Sequence, residues 1–312
     1  MTTVRESAGW TRLDRLRLIR VAGPNRVKFL HNLLSNDIAN LNPGQGRLAA
    51  LMNLKGQQVA WMRVLSESDA LICELPSAVR DIVVETFVHY KVGAPVRFEK
   101  PDDVVFGVFG AQAEAALKAL GLTTIPGAAE SFTTSPFEGS AVRICRAGDM
   151  PAGGFTFHVE AQRAAAMEGH LRARLGDEIS PTILDAMRVE EGLPWHGIDV
   201  MEENLLHETG QLHVYHSSSK GCYLGQEVVA RLEGRGGNVN KKLVGLKGES
   251  ALKAGAEISA EGKVVGRVTS SGASPRFGPI AMGYVHRSHA EVGTKVLSGG
   301  VGCEVTTLPF RS

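Results

Sequence analysis

Apolar and polar residues alternate over residues 15–21, where Leu16 and Leu18 oppose Arg15 and Arg17, and this period of two predicts a strand. Gly23-Pro24 ends that run and opens a helix, since proline suits a first helical turn. Val27, Phe29, Leu30, Leu33 and Leu34 give the helix one apolar side, and Ser35-Asn36-Asp37 closes it. Strands follow over residues 47–52 and 57–65, joined by a tight Leu54-Lys55-Gly56 hairpin link. A strand over 69–75 leads into a Ser77-capped helix carrying Val79, Ile82, Val83 and Phe87. Further strands are predicted over 96–98, 104–109, 142–145 and 155–160, with helices over 111–120 and 161–175. The stretch 121–139, rich in Thr, Ser, Pro and Gly, reads as an exposed connection.

Strands and helices mixed in this order predict an α+β body rather than a regular βαβ repeat. After Lys241 the character changes. Short β-rich runs over 243–246, 263–269 and 280–285 are separated by Gly, Ser and Pro, with no helical period beyond them. That is the pattern of a small β-barrel or sandwich, so the boundaries expected are 1–240 and 241–312. A chain of 312 residues accommodates about two domains and can bury a core without disulfides or a structural metal. The net charge of +1 points to neither nucleic acid nor an anionic membrane, and a monomer without stable nucleic-acid binding is expected. Residues 1–10 hold no apolar run of the signal-peptide kind and no apolar run elsewhere reaches about 18 residues, so neither a signal peptide nor a membrane span is expected. Cys73, Cys145, Cys222 and Cys303 are scattered without a Cys-x-x-Cys pair, which suggests free thiols in a reducing cytoplasm.

The most unusual segment is Lys220-Gly221-Cys222-Tyr223-Leu224-Gly225-Gln226-Glu227. Its glycines permit close approach of backbone to a ligand, and an ammonium beside a thiol favours the reactive thiolate. If 224–231 is a helix, Cys222 lies just before its N-terminus, which lowers a thiol pKa further. The same residues also fit a glycine turn whose cysteine is a small apolar filler. Other candidates carry less. His207-Glu208 is followed by His213, which is not the His-Glu-x-x-His spacing of a zinc helix, and His213 with His216 lacks a third ligand. Gly44-Gln45-Gly46 and Gly234-Arg235-Gly236-Gly237 sit in no strand–loop–helix phosphate-binding pattern. No metal site is expected.

The eight residues 220–227 resemble the Lys-Gly-Cys-x-x-Gly-Gln-Glu signature of YgfZ-type folate-binding proteins, a branch of the glycine-cleavage T-protein (GcvT, aminomethyltransferase-like) superfamily that includes mitochondrial iron–sulfur assembly factors. Further blocks resemble the superfamily: Val21-Ala22-Gly23 with Phe29-Leu30 and Asn36-Asp37, Arg188-Val189-Glu190-Glu191-Gly192-Leu193-Pro194 with Gly197 and Asp199, and Ile280-Ala281-Met282-Gly283-Tyr284-Val285. The stretch 99–139 matches least. The resemblance implies a multi-lobed fold around a central folate-sized hole, closed by a C-terminal barrel, with tetrahydrofolate or another reduced folate as ligand. It implies that Glu190 binds the pterin ring, since adjacent N–H groups suit a bidentate carboxylate. Met52 and Asn53 at the hairpin tip, with Trp195, Tyr223 and Gln226, become candidate folate contacts. Arg231, in a basic stretch with Arg235, Lys241 and Lys242, becomes a candidate for the anionic tail. Cys222 is the expected reactive thiol, with Lys220 its partner.

The chain also departs from the superfamily. T-proteins carry paired aspartates after the second hairpin's glycines, and here Ala60 and Trp61 stand where the acids belong. Alanine cannot trade a proton. The Thr-Gly-Glu-rich loop of the transferases is replaced by Gly148-Asp149-Met150-Pro151-Ala152-Gly153-Gly154. The resemblance therefore implies an accessory protein for assembly or repair of iron–sulfur clients, linked in its branch to tRNA modification, rather than an aminomethyltransferase. One alternative is a folate-dependent one-carbon transferase or demethylating enzyme, with Glu227 or Asp199 replacing the lost acid. Another is a scaffold that binds no ligand.

Overall fold

In the computed structural model, which describes residues 2–311, the chain divides into two units. One comprises Thr3–Glu178 and His213–Gln226, the other Ile179–Leu212 and the chain from Glu227 onward. Through residue 178 the elements are α1 (Thr2–Glu6), β1 (Gly9–Arg12), β2 (Leu16–Ala22), α2 (Arg26–Leu33), β3 (Gly46–Met52), β4 (Gln58–Ser66), β5 (Ala70–Pro76), α3 (Arg80–Tyr90), β6 (Arg97–Glu99), β7 (Val104–Phe109), α4 (Ala113–Ala119), β8 (Phe132–Phe137), β9 (Ser140–Arg146), β10 (Phe155–Val159) and α5 (Ala164–Leu175). The remainder are α6 (Pro181–Glu190), α7 (Leu212–Tyr215), α8 (Gln226–Glu233), β11 (Lys241–Gly248), β12 (Glu257–Ala260), β13 (Lys263–Ser274), β14 (Gly278–His286), β15 (Lys295–Ser298) and β16 (Val301–Thr306).

The first unit contains two antiparallel five-stranded sheets, ordered β3-β4-β5-β2-β6 and β1-β7-β10-β9-β8. Phe29, Leu30 and Leu33 of α2 and Val83 and Phe87 of α3 cover the former, while α4 and α5 cover the latter. β4 and β5 are buried along nearly their whole length, as strands covered on both faces must be.

Several expectations need correction. Pro24 lies before the helix, which starts at Arg26 behind Asn25. Ser77 opens a 3-10 turn and caps nothing with its side chain, and Ile82 of α3 faces solvent. The supposed connection 121–139 contains β8, hidden because Pro136 reads as a breaker. β8 is an edge strand, where a missing N–H costs no ladder bond. Its hairpin to β9 turns through Glu138 and Gly139, both at positive φ. The helix after the cysteine motif starts at Gln226, so three residues separate Cys222 from it.

The two sheets of this unit are tied by charge. Arg63 of β4, 1% exposed, meets Glu74 of β5, Glu130 at 2.6 Å and Asp149. It also donates to Thr156 on β10 at 3.3 Å. His158 of β10 sits 2.6 Å from Glu74 through Nε2, and 3.0 Å from the Arg143 guanidinium through Nδ1. Arginine can only donate, so Nδ1 accepts and Nε2 carries the proton that goes to Glu74. Burial lowers the His158 pKa against the pull of Glu74, in keeping with this neutral tautomer. Although burial opposes its ionisation, Arg63 and His158 bring the Glu74 carboxyl down to about 2. Burial, with Glu130 and Glu74 opposite, pushes Asp149 up to about 6. Three carboxylates around one guanidinium do not all ionise freely.

The returning segment 213–226 is pinned to this unit. Ser35 Oγ donates to the Tyr215 carbonyl at 2.5 Å and accepts from Ala50 N at 2.9 Å. Asn36 Nδ2 donates to the carbonyls of Leu48 and Val214. Gly225, at φ +82°, lies so close to the β3–β4 hairpin that a Cβ there would stand 2.5 Å from the Asn53 carbonyl oxygen. No L-residue fits without displacing the backbone.

In the second unit, β11-β14-β13-β12-β15-β16 close a six-stranded antiparallel barrel filled by Leu246, Ile258, Val268, Ala281, Val285 and Val305. Ser180 caps α6 by accepting from Ile183 N at 3.4 Å, with Pro181 at its first position. The helix packs on β13 where Gly272 leaves room, since a Cβ there would meet the Ala186 Cα at 2.7 Å. Among the described residues no helix is long and apolar enough to cross a membrane.

Replacing Arg63 by Met is expected to cost about 3–5 kcal/mol in urea unfolding at neutral pH, because it leaves Glu74 buried and uncompensated. A loss below about 1 kcal/mol would show that the guanidinium is not what joins the sheets. Glu74, lowered from an ordinary 4.5 to about 2, contributes stability above pH 4.5 that is lost as pH falls toward 2. Unfolding curves across that window should show the loss, and Arg63→Met should flatten it. Gly225→Ala should cost about 1–3 kcal/mol for its φ alone, with more from the clash. Gly221→Ala, with nothing within 4 Å of its Cβ, should leave the melting temperature unchanged.

Candidate functional site

Glu190 ends α6 and is 3% exposed. Its Oε2 accepts from Ser274 Oγ at 2.6 Å. That hydroxyl is itself occupied as an acceptor by the amides of Arg276 and Phe277, so its single proton is directed at Glu190. Two residues earlier on the same helix, Arg188 is 1% exposed and binds Asp185 at 2.7 Å, Asp199 at 2.5 Å and Ser270 at 2.5 Å. Its guanidinium lies 4.7 Å from the Trp195 ring centroid. Asp199 is consumed as a staple: it also takes Trp195 N at 3.0 Å and the hydroxyls of Thr269 and Ser270 at 2.6 Å. A carboxylate so saturated is ill suited to replace a missing catalytic acid. Trp195 itself is buried beneath Arg188, which accounts for its flat surface by packing.

The pterin edge of a folate presents neighbouring N–H donors. A buried carboxylate oriented by the Ser274 hydroxyl has the acceptor chemistry to meet them, and on that criterion Glu190 fits. Glu191, its neighbour, is only half-buried. Arg231, Arg235 and Lys242 are exposed, while Lys241 is drawn to Glu208 at 3.7 Å.

In the other unit Cys222 is the one exposed thiol among the described cysteines; Cys73, Cys145 and Cys303 are buried in β5, β9 and β16. Burial pushes the Cys73 thiol up to about 12 and Cys145 higher still, so both are inert at neutral pH. Lys220, two residues before the thiol, is held by backbone carbonyls. Its Nζ donates to the carbonyls of His31 and Leu34 at 2.5 Å, satisfying the C-terminal end of α2, and lies 4.7 Å from the Tyr223 ring centroid. Burial lowers its pKa to about 8, against the charges of Asp37 and Cys222. The lysine is thus a tether that fixes the loop and leaves a positive charge near the thiol. Gln226 closes the turn by accepting from Tyr223 N at 3.1 Å, so its side-chain oxygen serves the loop. Cys222, Tyr223 and Leu224 line a cleft of about 610 Å³ with Lys28, Phe29 and Lys91.

Met52 is fully buried, and Asn53 holds its own hairpin by accepting from the amides of Lys55 and Gln57. Ala60 is in the hydrophobic core, whereas the Trp61 ring stacks on Tyr215 at 4.0 Å and donates to Gln58 at 2.8 Å. Neither position carries a proton-transferring group. Among the described residues, no three His, Cys, Asp or Glu side chains gather as a metal site. Nothing in the residue pattern marks Ser274 or the Arg188–Asp199 pairing; only the Arg and Asp of one motif, eleven residues apart, could have suggested the latter.

Residues 1–215 match the family described as the GCVT N-terminal domain, and residues 241–310 match the glycine cleavage T-protein C-terminal barrel domain. The mitochondrial aminomethyltransferase of Gallus gallus is 31% identical over 88% of this chain and 73% of its own length. The tRNA-modifying protein YgfZ of Klebsiella pneumoniae is 29% identical over 72% of this chain and 68% of its own. The crystal structure of the glycine cleavage aminomethyltransferase T of Bartonella henselae superimposes with a TM-score of 0.90 at 24% identity, covering 99% of this chain and 88% of that one, and so has the same fold. By both of its domain matches, the chain belongs to the glycine-cleavage T-protein family.

Proposed function

We propose that this protein binds a reduced folate through Glu190 and acts through Cys222 in support of iron–sulfur proteins, as a YgfZ-type member of its family rather than an aminomethyltransferase. The observation that carries this reading is the pair Ala60 and Trp61: one is sealed in the core and the other stacked on Tyr215, where transfer chemistry would need an acid. The buried Glu190 supports folate recognition. The exposed Cys222, on a loop fixed by Lys220 and Gly225, supports a thiolate contact with a client's cluster or cysteine. With a single exposed thiol among the described cysteines, that contact is transient, because a cluster takes four ligands, usually cysteines. Four thiols without a disulfide suit a reducing cytoplasm.

Aminomethyl transfer is the second reading. It is favoured by the aminomethyltransferase of Gallus gallus, which matches more of this chain than the tRNA-modifying protein does. It would have to supply its acid from elsewhere, and Asp199 is already committed.

Calorimetric titration with tetrahydrofolate should give saturable binding that Glu190→Gln weakens by about 10- to 100-fold, the range for a hydrogen bond to a charged group. Failure of the unaltered protein to bind any reduced folate would remove the proposal. In cells lacking the protein, Cys222→Ser should fail to restore iron–sulfur enzyme activity. Methylenetetrahydrofolate formed from an aminomethyl donor would instead establish the second reading.

A further inference from the structure

The barrel unit carries a second cleft, of about 990 Å³, between β13–β14 and residues 198–208. Glu190 does not line it. Its volume is at the upper end of the range for drug-sized ligands, roughly 300–1,000 Å³. Three large apolar side chains at the cleft face water: Ile198 is 39% exposed, Met201 45% and Val264 61%. Clustered apolar exposure of this kind marks binding surfaces.

The second observation is Tyr284. Its side chain lines the cleft and the residue is 8% exposed, yet its buried hydroxyl has no hydrogen-bond partner among the described residues. Burial, with the carboxylates of Glu208, Asp199 and Glu203, pushes the phenol pKa up, so the group stays protonated and remains a donor. A buried hydroxyl left unpaired by the protein's own groups is a cost that an incoming acceptor would relieve.

Charge at the site divides into spent and unspent groups. Asp199 is held by Arg188, Thr269 and Ser270, and Glu208 by Leu205 N, Asn204 and Lys241. Lys241 also lies over the Tyr284 ring at 5.1 Å. Lys263 and Arg267 line the cleft, exposed and without an ion-pair partner among the described residues, against the one exposed acid Glu203. The uncommitted balance is positive.

We propose that this cleft is a binding site, separate from Glu190, for an amphipathic organic anion. The ligand's apolar body lies against Ile198, Met201 and Val264. An acceptor atom accepts a hydrogen bond from the Tyr284 hydroxyl, and the anionic group meets Lys263 and Arg267.

The test uses the full chain and 8-anilinonaphthalene-1-sulfonate, an aromatic sulfonate whose fluorescence rises in apolar surroundings. One saturable site is expected. Val264→Glu and the double variant Lys263→Glu, Arg267→Glu should each weaken binding by about tenfold or more, since each places an anion against an anion. Both alter exposed side chains, so unchanged melting curves are expected to accompany the loss. Tyr284→Phe should weaken binding by a factor of about 2 to 10. Saturating tetrahydrofolate should leave probe binding unchanged. The proposal is overturned if no saturable signal appears, if Val264→Glu binds like the unaltered protein, or if tetrahydrofolate displaces the probe.

Discussion

A single guanidinium organises the larger unit. Arg63 projects from a strand buried on both faces and gathers carboxylates from β5 and from the loops around β8 and β9. Such a cluster contributes less to net stability than its short contacts suggest, because desolvating four charged groups offsets most of their attraction. Its value is geometric. Glu74 also holds His158, and Arg143 holds both His158 and Glu67, so the two sheets have one relative position that satisfies every member. An apolar interface would tolerate slippage. This one does not, and the hairpin that receives the Gly225 loop inherits its position from it.

The residues nearest the proposed chemistry divide into those that act and those that hold. Gln226, Asn53 and Trp195 read as ligand contacts in the sequence and Lys220 as the partner of the thiol, yet their side chains are engaged in fastening their own surroundings. Cys222 and Glu190 remain as the pair with chemistry to offer: one thiol open to solvent, one carboxylate kept dry and oriented by Ser274. The same division explains Asp199. It is strictly an organiser, joining the end of α6 to β13 through Arg188 and two hydroxyls.

Much of this was legible beforehand. Alternation makes β2 readable, the continuous apolar run Val104–Phe109 marks β7, and the short β-rich runs after Lys241 announce the barrel strands. Strand β8 escaped because Pro136 looks like a breaker until its edge position is known. The sequence reading starts the helix at residue 224, two residues before α8 begins, whereas in the fold Leu224 packs with the β3–β4 core. The Arg63 cluster was invisible: its partners stand 11, 67 and 86 positions away, and no local pattern encodes such meetings. Cys222 stands out from its glycine-flanked, lysine-adjacent setting alone, whereas Glu190 is singled out by motif resemblance. Their hydrogen-bond surroundings required coordinates.

The interleaved path of the chain bears on how the protein comes to be made. Segment 213–226 completes a unit whose other residues precede position 179, and its bonds to Ser35 and Asn36 span 180 and 178 positions. On a ribosome, the first sheets emerge long before the piece that satisfies Ser35, Asn36 and the last carbonyls of α2. Closing such distant contacts is slow, and partly built sheets are prone to stray association. The cysteine loop is therefore the final component of its own unit, and the thiol reaches its working position only after most of the chain has been synthesised.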